Sequence, residues 1–307
     1  MIAALLSACF LVGSDTATEA SPPAVPAPAP PAPPPAPSVD PLDLRVAHDP
    51  DVVAPRLVAA ERAIRDPAVD DATAAKWGHL QQRIYRAMAA DDALAAKVTS
   101  RMPPELQDIV RRNLVGTGTI AKTVTTLRSD LPDWRIVESR PQSELLSYYK
   151  AAGEEYGVPW TALASINLNE TRMGKLRGTS HVGAAGPMQF MPATWASYGT
   201  GDVTDDHDAI FGAANYLAKM GWARDPRKAI WAYNHSTHYI DAIQAFASVM
   251  DEDPLAYRGY WGWQVYYRTV KGSIWLEPGY ESTERVAIDA YCGPRGEPHC
   301  PPSPGDL

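Results

Sequence analysis

The sequence contains little cysteine, little phenylalanine and no excess of positive charge. Only three cysteines and four phenylalanines occur in 307 residues, and 36 acidic residues outweigh 28 basic ones, for a net charge of −8. Nucleic-acid-binding proteins carry basic patches, so this balance predicts no nucleic-acid partner. After the N-terminus no run of 18 apolar residues occurs, so no second membrane span is expected. The length suffices for one or two ordered domains with tails.

The first residues are typical of an export signal. Apolar residues dominate positions 2–12, and Leu6-Ser7-Ala8-Cys9 resembles a bacterial lipobox, in which the cysteine is lipidated after cleavage. An ordinary signal peptide cut after a nearby alanine is the alternative, and the segment is short and has no Lys or Arg before its apolar run. We therefore predict a signal peptide or lipoprotein signal over residues 1–20, with Cys9 as the lipidation candidate. The protein is then secreted or anchored to a membrane at the cell envelope.

A linker and a helical region come next. Residues 21–41 consist only of Pro, Ala, Ser, Val and Asp, which predicts an extended polyproline-type linker. Over residues 42–140 apolar side chains recur at helical spacing, for example at positions 77, 80, 84 and 88, and prolines punctuate the pattern. No residue in this stretch suggests catalysis, so we predict a helical accessory region.

The pattern around Glu170 predicts a carboxylate in an apolar setting. Residues 160, 163, 166 and 170 (Trp, Leu, Ile and Glu) follow one another at spacings of three, three and four, which is one face of an α-helix. Apolar surroundings disfavour the charged form of a carboxylate and raise its pKa. A carboxyl group that is protonated near neutral pH can donate a proton to a leaving oxygen. The alternative is a structural carboxylate that reaches solvent or pairs with Arg172.

A glycine-rich loop follows Glu170. Gly183, Gly186 and Pro187 interrupt regular helix and let the backbone pass close to a ligand. Met188 and Gln189 come next, and Gln189 is a polar residue within an apolar run. It needs a hydrogen-bond partner if it is buried, and that partner is either the backbone or a sugar hydroxyl.

Three motifs, in order, resemble the lytic transglycosylase domain of the soluble-lytic-transglycosylase (goose-type-lysozyme-like) superfamily. They are ETRMGKLRGTSHVGAAGPMQFMPATW from Glu170, AANYL from Ala213 and AYNHS from Ala232. The resemblance covers residues 141–250 and implies a mainly α, lysozyme-like catalytic domain that needs no cofactor. It implies Glu170 as the sole catalytic acid/base. It also implies a set of substrate-binding residues: Ser180, Met188, Gln189, Tyr233 and Asn234.

The resemblance also implies a substrate and a reaction. The partner is the glycan strand of peptidoglycan, cleaved at the β-1,4 bond between N-acetylmuramic acid and N-acetylglucosamine with formation of a 1,6-anhydromuramic acid end. Ordinary glycosidases use two carboxylates, so one alternative is a lysozyme-type hydrolase that recruits an aspartate of the 202–208 loop. An alternative of another class is a non-catalytic peptidoglycan-binding or scaffold protein, which the presence of Glu170, Gln189 and Asn234 disfavours.

Two groups of residues in the sequence are of types that bind metals. Aspartates crowd one loop at positions 202, 205, 206 and 208, but they lack the spacing and central glycine of an EF-hand. Capping of the following helix by Asp206 or Asp208 is the favoured interpretation. His235 and His238 have no third ligand at a suitable spacing, so no metal site is predicted. They lie within residues 228–249, which we predict to be a helical stretch.

Residues 251–307 are predicted to form an aromatic-rich extension. Tyr and Trp are dense over positions 255–270, which suits a strand, a sugar-stacking surface or a core patch, and we favour a structural role. Cys292 and Cys300 enclose a short loop rich in Pro and Gly, which in an exported chain predicts a disulfide. Two free thiols in the tail are the alternative.

Overall fold

The computed structural model describes residues 39–123, 126–180 and 182–301, with the side chain of residue 123 left aside. Residues 1–38 lie outside this part, and with them the predicted signal, Cys9 and most of the predicted linker. The described residues belong to one compact unit that is mainly helical, so the predicted mainly α fold is confirmed.

The described residues form twelve helices and six short strands. The helices are α1 (Pro50–Arg65), α2 (Asp71–Ala90), α3 (Asp92–Arg101), α4 (Pro104–Thr123), α5 (Gln142–Tyr156), α6 (Trp160–Thr171), α7 (Pro192–Tyr198), α8 (Asp206–Lys219), α9 (Pro226–Tyr233), α10 (Thr237–Glu252), α11 (Ala256–Gly262) and α12 (Ile288–Cys292). The strands pair antiparallel as β1 (Asp130–Leu131) with β6 (Val286–Ala287), β2 (Arg135–Ile136) with β3 (Leu176–Arg177), and β4 (Val265–Thr269) with β5 (Gly272–Leu276).

One apolar core joins helices from distant parts of the chain. α4 packs along α10, and α2 packs against α11. The core therefore contains residues from both sides of position 140, such as Tyr85 and Met88 on α2 and Ile166 on α6. The division of the chain into an accessory region, a catalytic domain and a C-terminal extension, with boundaries at residues 140 and 250, stays a prediction.

α6 lies at the centre of this arrangement, packed against α5, α8 and α10. Its residues from Thr161 to Leu168 are all buried, including the polar side chains of Thr161, Ser165 and Asn167. The helix ends where Arg172 adopts a left-handed conformation (φ 55°) and its N–H donates back to the carbonyls of Asn167 and Leu168. Glu170 is in the last turn, where the buried helix approaches the surface.

Two expectations about helix ends are wrong. Residues 228–249 are not one helix, because Asn234 is extended after α9 and the hydroxyl of Ser236 accepts from the N–H of Tyr239 to cap α10. Asn and Ser side chains compete for backbone hydrogen bonds, which favours such a break. The cap of α8 is Asp205, whose carboxylate accepts from the N–H groups of His207 and Asp208, rather than Asp206 or Asp208.

The C-terminal extension carries its aromatic residues inward. Tyr257, Tyr260 and Trp263 are each no more than 3% exposed, which agrees with a structural role for these rings rather than a stacking surface. Beyond them a second, smaller apolar cluster forms between the β4–β5 hairpin and α12. Cys292 and Cys300 are joined by a disulfide across this cluster, with Cα atoms 5.8 Å apart. Among the described residues, no helix has the length and apolar character needed to cross a membrane.

Candidate active site

Glu170 is a partly exposed carboxyl group at the end of the buried helix α6. Its Oε1 accepts a hydrogen bond of 2.6 Å from the hydroxyl of Tyr239. Burial raises the pKa of Glu170 to about 7, although the hydrogen bond from Tyr239 and the positive charge of Arg172 act in the opposite direction. The group can therefore exchange a proton near neutral pH, which is the property required of a residue that acts first as an acid and then as a base.

Tyr239 was missed by the sequence analysis. It is buried (4% exposed) at the start of α10, and its ring is parallel to that of Tyr233, with centroids 6.5 Å apart. Its inward position could have been found, because Tyr239, Ile243 and Phe246 recur at spacings of four and three, but nothing in that pattern names Glu170 as its partner.

Tyr233 connects this pair to the glycine-rich loop. Its hydroxyl donates to the carbonyl oxygen of Met188 over 2.7 Å, and its ring packs against Phe190 with centroids 6.0 Å apart. Met188 itself is fully buried, so its side chain supports the loop from within. Three of the residues predicted from sequence, Glu170, Tyr233 and Met188, are thus brought together through Tyr239.

The glycine-rich loop is also hydrogen-bonded to the last turns of α6, next to Glu170. The carbonyl of Pro187 accepts from Asn167 Nδ2 over 2.8 Å and from the hydroxyl of Thr171 over 2.6 Å. Tyr149 donates to Asn167 Oδ1 over 2.5 Å and fixes the amide. Buried polar groups of this kind are costly unless they are paired, so this network holds the loop in one position relative to the carboxyl group.

Within the loop, Gln189 and Ser180 bond to the backbone. Gln189 has a positive φ (51°), and its side-chain amide donates to the carbonyls of Gly186 (3.0 Å) and Gly178 (3.4 Å). Of the two partners that the sequence left open for Gln189, the backbone or a sugar hydroxyl, the structure shows the backbone. Ser180 Oγ accepts from the N–H of Ala184 over 3.0 Å, which leaves its O–H able to donate. Both side chains are partly exposed.

Asn234 follows Tyr233 in the chain and lies in the turn between α9 and α10. It is exposed, and its backbone N–H donates to the carbonyl of Ile230 over 3.1 Å. Asn234 is thus an exposed residue of extended backbone at the end of α9.

The four aspartates of the 202–208 loop are occupied by structural contacts. Asp206 is buried, and its Oδ2 pairs with Arg177 (2.6 Å) and Arg140 (3.0 Å). Asp205 caps α8. The carboxylates of Asp202 and Asp208 accept hydrogen bonds from backbone N–H groups within the loop. These hydrogen bonds are the main reason why the pKa values of Asp202 and Asp208 are lowered. Ligand atoms of Asp205, His207 and Asp208 lie within 4.8 Å of one another, an arrangement that exposed acidic groups often adopt without an ion.

Residues 178–230 match the family model described as "Transglycosylase SLT domain". The matched segment contains Ser180, Met188 and Gln189, begins after Glu170 and ends before Tyr233. It supports a relationship to lytic transglycosylases for this part of the chain, in agreement with the motifs of the sequence. No solved structure matches the chain.

Proposed function

We propose that this protein is a peptidoglycan lytic transglycosylase that uses Glu170 as its single acid/base. The observation that carries the proposal is the partly exposed Glu170 carboxyl group, hydrogen-bonded by Tyr239, with a pKa near 7. The match of residues 178–230 to the transglycosylase SLT domain supports the choice of peptidoglycan as substrate.

In the first step, Glu170 donates its proton to the glycosidic oxygen between N-acetylmuramic acid and N-acetylglucosamine. The C1–O bond breaks, the N-acetylglucosamine leaves with that proton on its oxygen, and the substrate's own acetamido group stabilises the positive charge at C1. The Glu170 carboxylate that results is stabilised by the O–H of Tyr239 and by the charge of Arg172.

In the second step, the carboxylate takes the proton of the muramyl C6 hydroxyl. The C6 oxygen bonds to C1 and gives a 1,6-anhydromuramic acid end, while Glu170 returns to its protonated form. No water and no cofactor enters the balance. A pKa near 7 suits both steps, because the protonated acid and the carboxylate of Glu170 are then both accessible near neutral pH.

The loop and the α9–α10 turn supply the glycan contacts in this proposal. The hydroxyl of Ser180 and the carboxamides of Gln189 and Asn234 orient sugar hydroxyls and the N-acetyl group. Tyr233 and Met188 hold the glycine-rich loop in place, since the hydroxyl of Tyr233 donates to the carbonyl oxygen of Met188. Orientation of a reacting group in this way lowers the entropic part of the barrier.

A hydrolase that uses a second carboxylate is less well supported. Such an enzyme needs an aspartate that can activate water opposite Glu170. Asp205 and Asp206 are instead paired with Arg140, and Asp202 and Asp208 accept hydrogen bonds from their own loop. These contacts favour the single-carboxylate reaction.

The direct test is the release of soluble fragments from insoluble peptidoglycan by the full chain and by Glu170→Gln. Glutamine retains the shape and can accept from Tyr239, but it cannot donate the required proton, so we expect release to fall at least 1,000-fold, with Glu154→Gln on the exposed side of α5 as the control. Release at a tenth of the normal rate by Glu170→Gln would overturn the proposal. Binding to the wall without any release by the unaltered protein would instead support a scaffold.

We also propose that the protein acts at the cell envelope, exported by its N-terminal segment and held at a membrane through Cys9. This part rests on the sequence alone, since Cys9 lies outside the described residues. Metabolic labelling with a radioactive fatty acid, comparing the unaltered protein with Cys9→Ala, separates a lipid anchor from an ordinary cleaved signal.

A further inference from the structure

The buried carboxylate of Asp206 has no part in the proposed reaction, yet it pairs with two cations. Asp206 is the first residue of α8 and is only 2% exposed. Its Oδ2 accepts from Arg177 over 2.6 Å and from Arg140 over 3.0 Å. Desolvation of both partners offsets most of the attraction within a buried ion pair, so the conformation that such a pair selects explains it better than a gain in stability.

The first contact of Asp206 is with the turn that follows Glu170. Arg172, Met173 and Gly174 have φ values of 55°, 58° and 77°, so these three residues form a left-handed turn. Residues other than glycine are strained in this region and keep it only where surrounding contacts hold them. A Cβ on Gly174 would lie 2.5 Å from Asp206 Oδ1, so this oxygen packs directly against the left-handed turn.

The second contact leads into the glycine-rich loop. Arg177 lies in β3, one residue before Gly178, whose carbonyl accepts from the side chain of Gln189. Besides its bond to Asp206, the guanidinium of Arg177 donates to the carbonyl oxygen of Thr204 over 3.1 Å. β3 is therefore joined to the start of α8 through one side chain.

The far end of the glycine-rich loop rests on the same segment. A Cβ on Gly186 would lie 1.8 Å from the carbonyl oxygen of Val203, so the two backbones are in contact there. Residues 203–206 thus contact the left-handed turn, β3 and the loop, which is the chain on both sides of Ser180.

We propose that Asp206 is a positioning residue, whose carboxylate holds the left-handed turn and β3 and so sets the position of the glycine-rich loop relative to Glu170. The role in catalysis rests on the proposed function, in which Ser180 and Gln189 bind the glycan while Glu170 transfers protons. Asp206 contacts no reacting atom and acts through Arg177 and the turn. A misplacement of about 1 Å costs roughly a hundredfold in rate.

Replacement of Asp206 by Asn should loosen the structure on one side only. Arg140 keeps two other carboxylates, Glu144 at 3.0 Å and Asp205 at 2.9 Å. Arg177 has no other acidic partner among the described residues. The left-handed turn, β3 and the glycine-rich loop should therefore become more mobile, whereas α5, which carries Glu144, should not.

Hydrogen exchange of the full chain measures this change without any substrate. The amides of Ser180, Ala185 and Phe190 report on the loop, because each donates to a carbonyl within it. We expect Asp206→Asn to speed exchange over residues 178–190 at least about tenfold and to leave exchange in α5 as it was. Unchanged exchange in the loop would overturn the proposal.

Glu61→Gln is the matched control for a general loss of stability. Glu61 is a second buried carboxylate that pairs with an arginine, Arg65, but its other hydrogen-bond partners, Gln81 and Tyr85, lie on α2. This variant should speed exchange in α1 and α2 and leave the glycine-rich loop protected. Equal acceleration of the loop by both variants would show that Asp206 adds only to overall stability, and would also overturn the proposal.

Kinetics on soluble glycan test the link to catalysis. Asp206→Asn should raise KM at least about fivefold and lower kcat at least about tenfold, whereas Glu61→Gln should change neither by more than about twofold. Faster loop exchange with normal KM and kcat would refute the role of Asp206 in catalysis. No cleavage by the unaltered protein would instead refute the proposed function, and the exchange results would still decide whether Asp206 positions the loop.

A second pair of variants covers the case in which Asp206→Asn fails to fold. Arg177→Gln removes the same contact but leaves Asp206 paired with Arg140, so no charge is left buried alone. It should show the same faster loop exchange and the same rise in KM. Arg177→Lys keeps a cation beside Asp206 and should recover at least about half of the lost kcat/KM. Equal losses in Arg177→Gln and Arg177→Lys would contradict a role for the ion pair.

Discussion

The hydroxyl of Tyr239 donates a 2.6 Å hydrogen bond to Oε1 of Glu170, across 69 residues of sequence. The bond favours the charged form of the carboxyl group, whereas burial favours the neutral form, and burial is the larger effect. The pKa of about 7 is therefore the result of opposing effects: burial raises it, whereas the hydrogen bond from Tyr239 and the charge of Arg172 lower it.

Replacement of Tyr239 by Phe should raise the pKa of Glu170, because it removes the donor that stabilises the carboxylate. The limb of the kcat/KM profile that falls as pH rises should then move to higher pH by about 0.5–1 unit, with kcat reduced about tenfold, since the base in the second step is less well placed. The pH–rate profile of soluble glycan cleavage measures this. Tyr148→Phe, which removes a hydroxyl bonded to Glu144, is the control, and an unmoved profile in Tyr239→Phe would count against the pair.

Glu170 should make the folded protein less stable as pH rises. Its pKa is raised from 4.5 to about 7, so the native state binds the proton more tightly than the unfolded chain, and the stability gained is complete below 4.5 and lost as pH rises to 7. Glu170→Gln has no such loss, so its free energy of unfolding should exceed that of the unaltered protein by a margin that grows by about 1–3 kcal/mol between pH 4.5 and pH 8.

Urea unfolding of both proteins across this pH range measures that margin. A constant difference between them would mean that the carboxyl group titrates as it does in water, and the basis for an acid of pKa near 7 would be lost.

Gly186→Ala should destabilise the protein by about 2–4 kcal/mol, because of both a clash and a strained backbone. Gly186 has φ 77°, and an added Cβ would lie 1.8 Å from the carbonyl oxygen of Val203. Gly183 is the matched control in the same loop, since its φ is 89° but an added Cβ meets nothing within 4 Å. Gly183→Ala should cost only about 1 kcal/mol. Equal losses in thermal unfolding would contradict the role of the Gly186 contact.

The helical fold and the position of Glu170 could be predicted from sequence because both depend on local periodicity. Apolar spacing predicts the helix that carries Glu170, but the structure buries this helix on all sides from Thr161 to Leu168, and Glu170 lies in its last turn, where the residue is partly exposed. Helix ends were harder to predict, since Asp205, Asp206 and Asp208 all suit a cap and only the path of the loop selects Asp205. The break at Asn234 was missed although five polar residues, 234–238, interrupt the apolar pattern there and one of them, Ser236, caps α10.

Contacts between distant segments could not be predicted. Tyr239 faces inward by its own spacing, but its partner is fixed by the packing of α10 on α6. The buried carboxylate of Asp206 is a stronger case, because its partners Arg140 and Arg177 come from separate parts of the chain and form no motif with it. Periodicity shows which face of an element is buried, whereas the identity of what it is buried against depends on the tertiary fold.

The central claim is the reaction of a single carboxyl group, and mass spectrometry of the fragments that the full chain releases from purified peptidoglycan tests it most directly. The account predicts muropeptides that end in 1,6-anhydromuramic acid, each lighter by one water than the product of hydrolysis. Fragments with ordinary reducing ends would contradict it and would direct attention to the aspartates of the 202–208 loop.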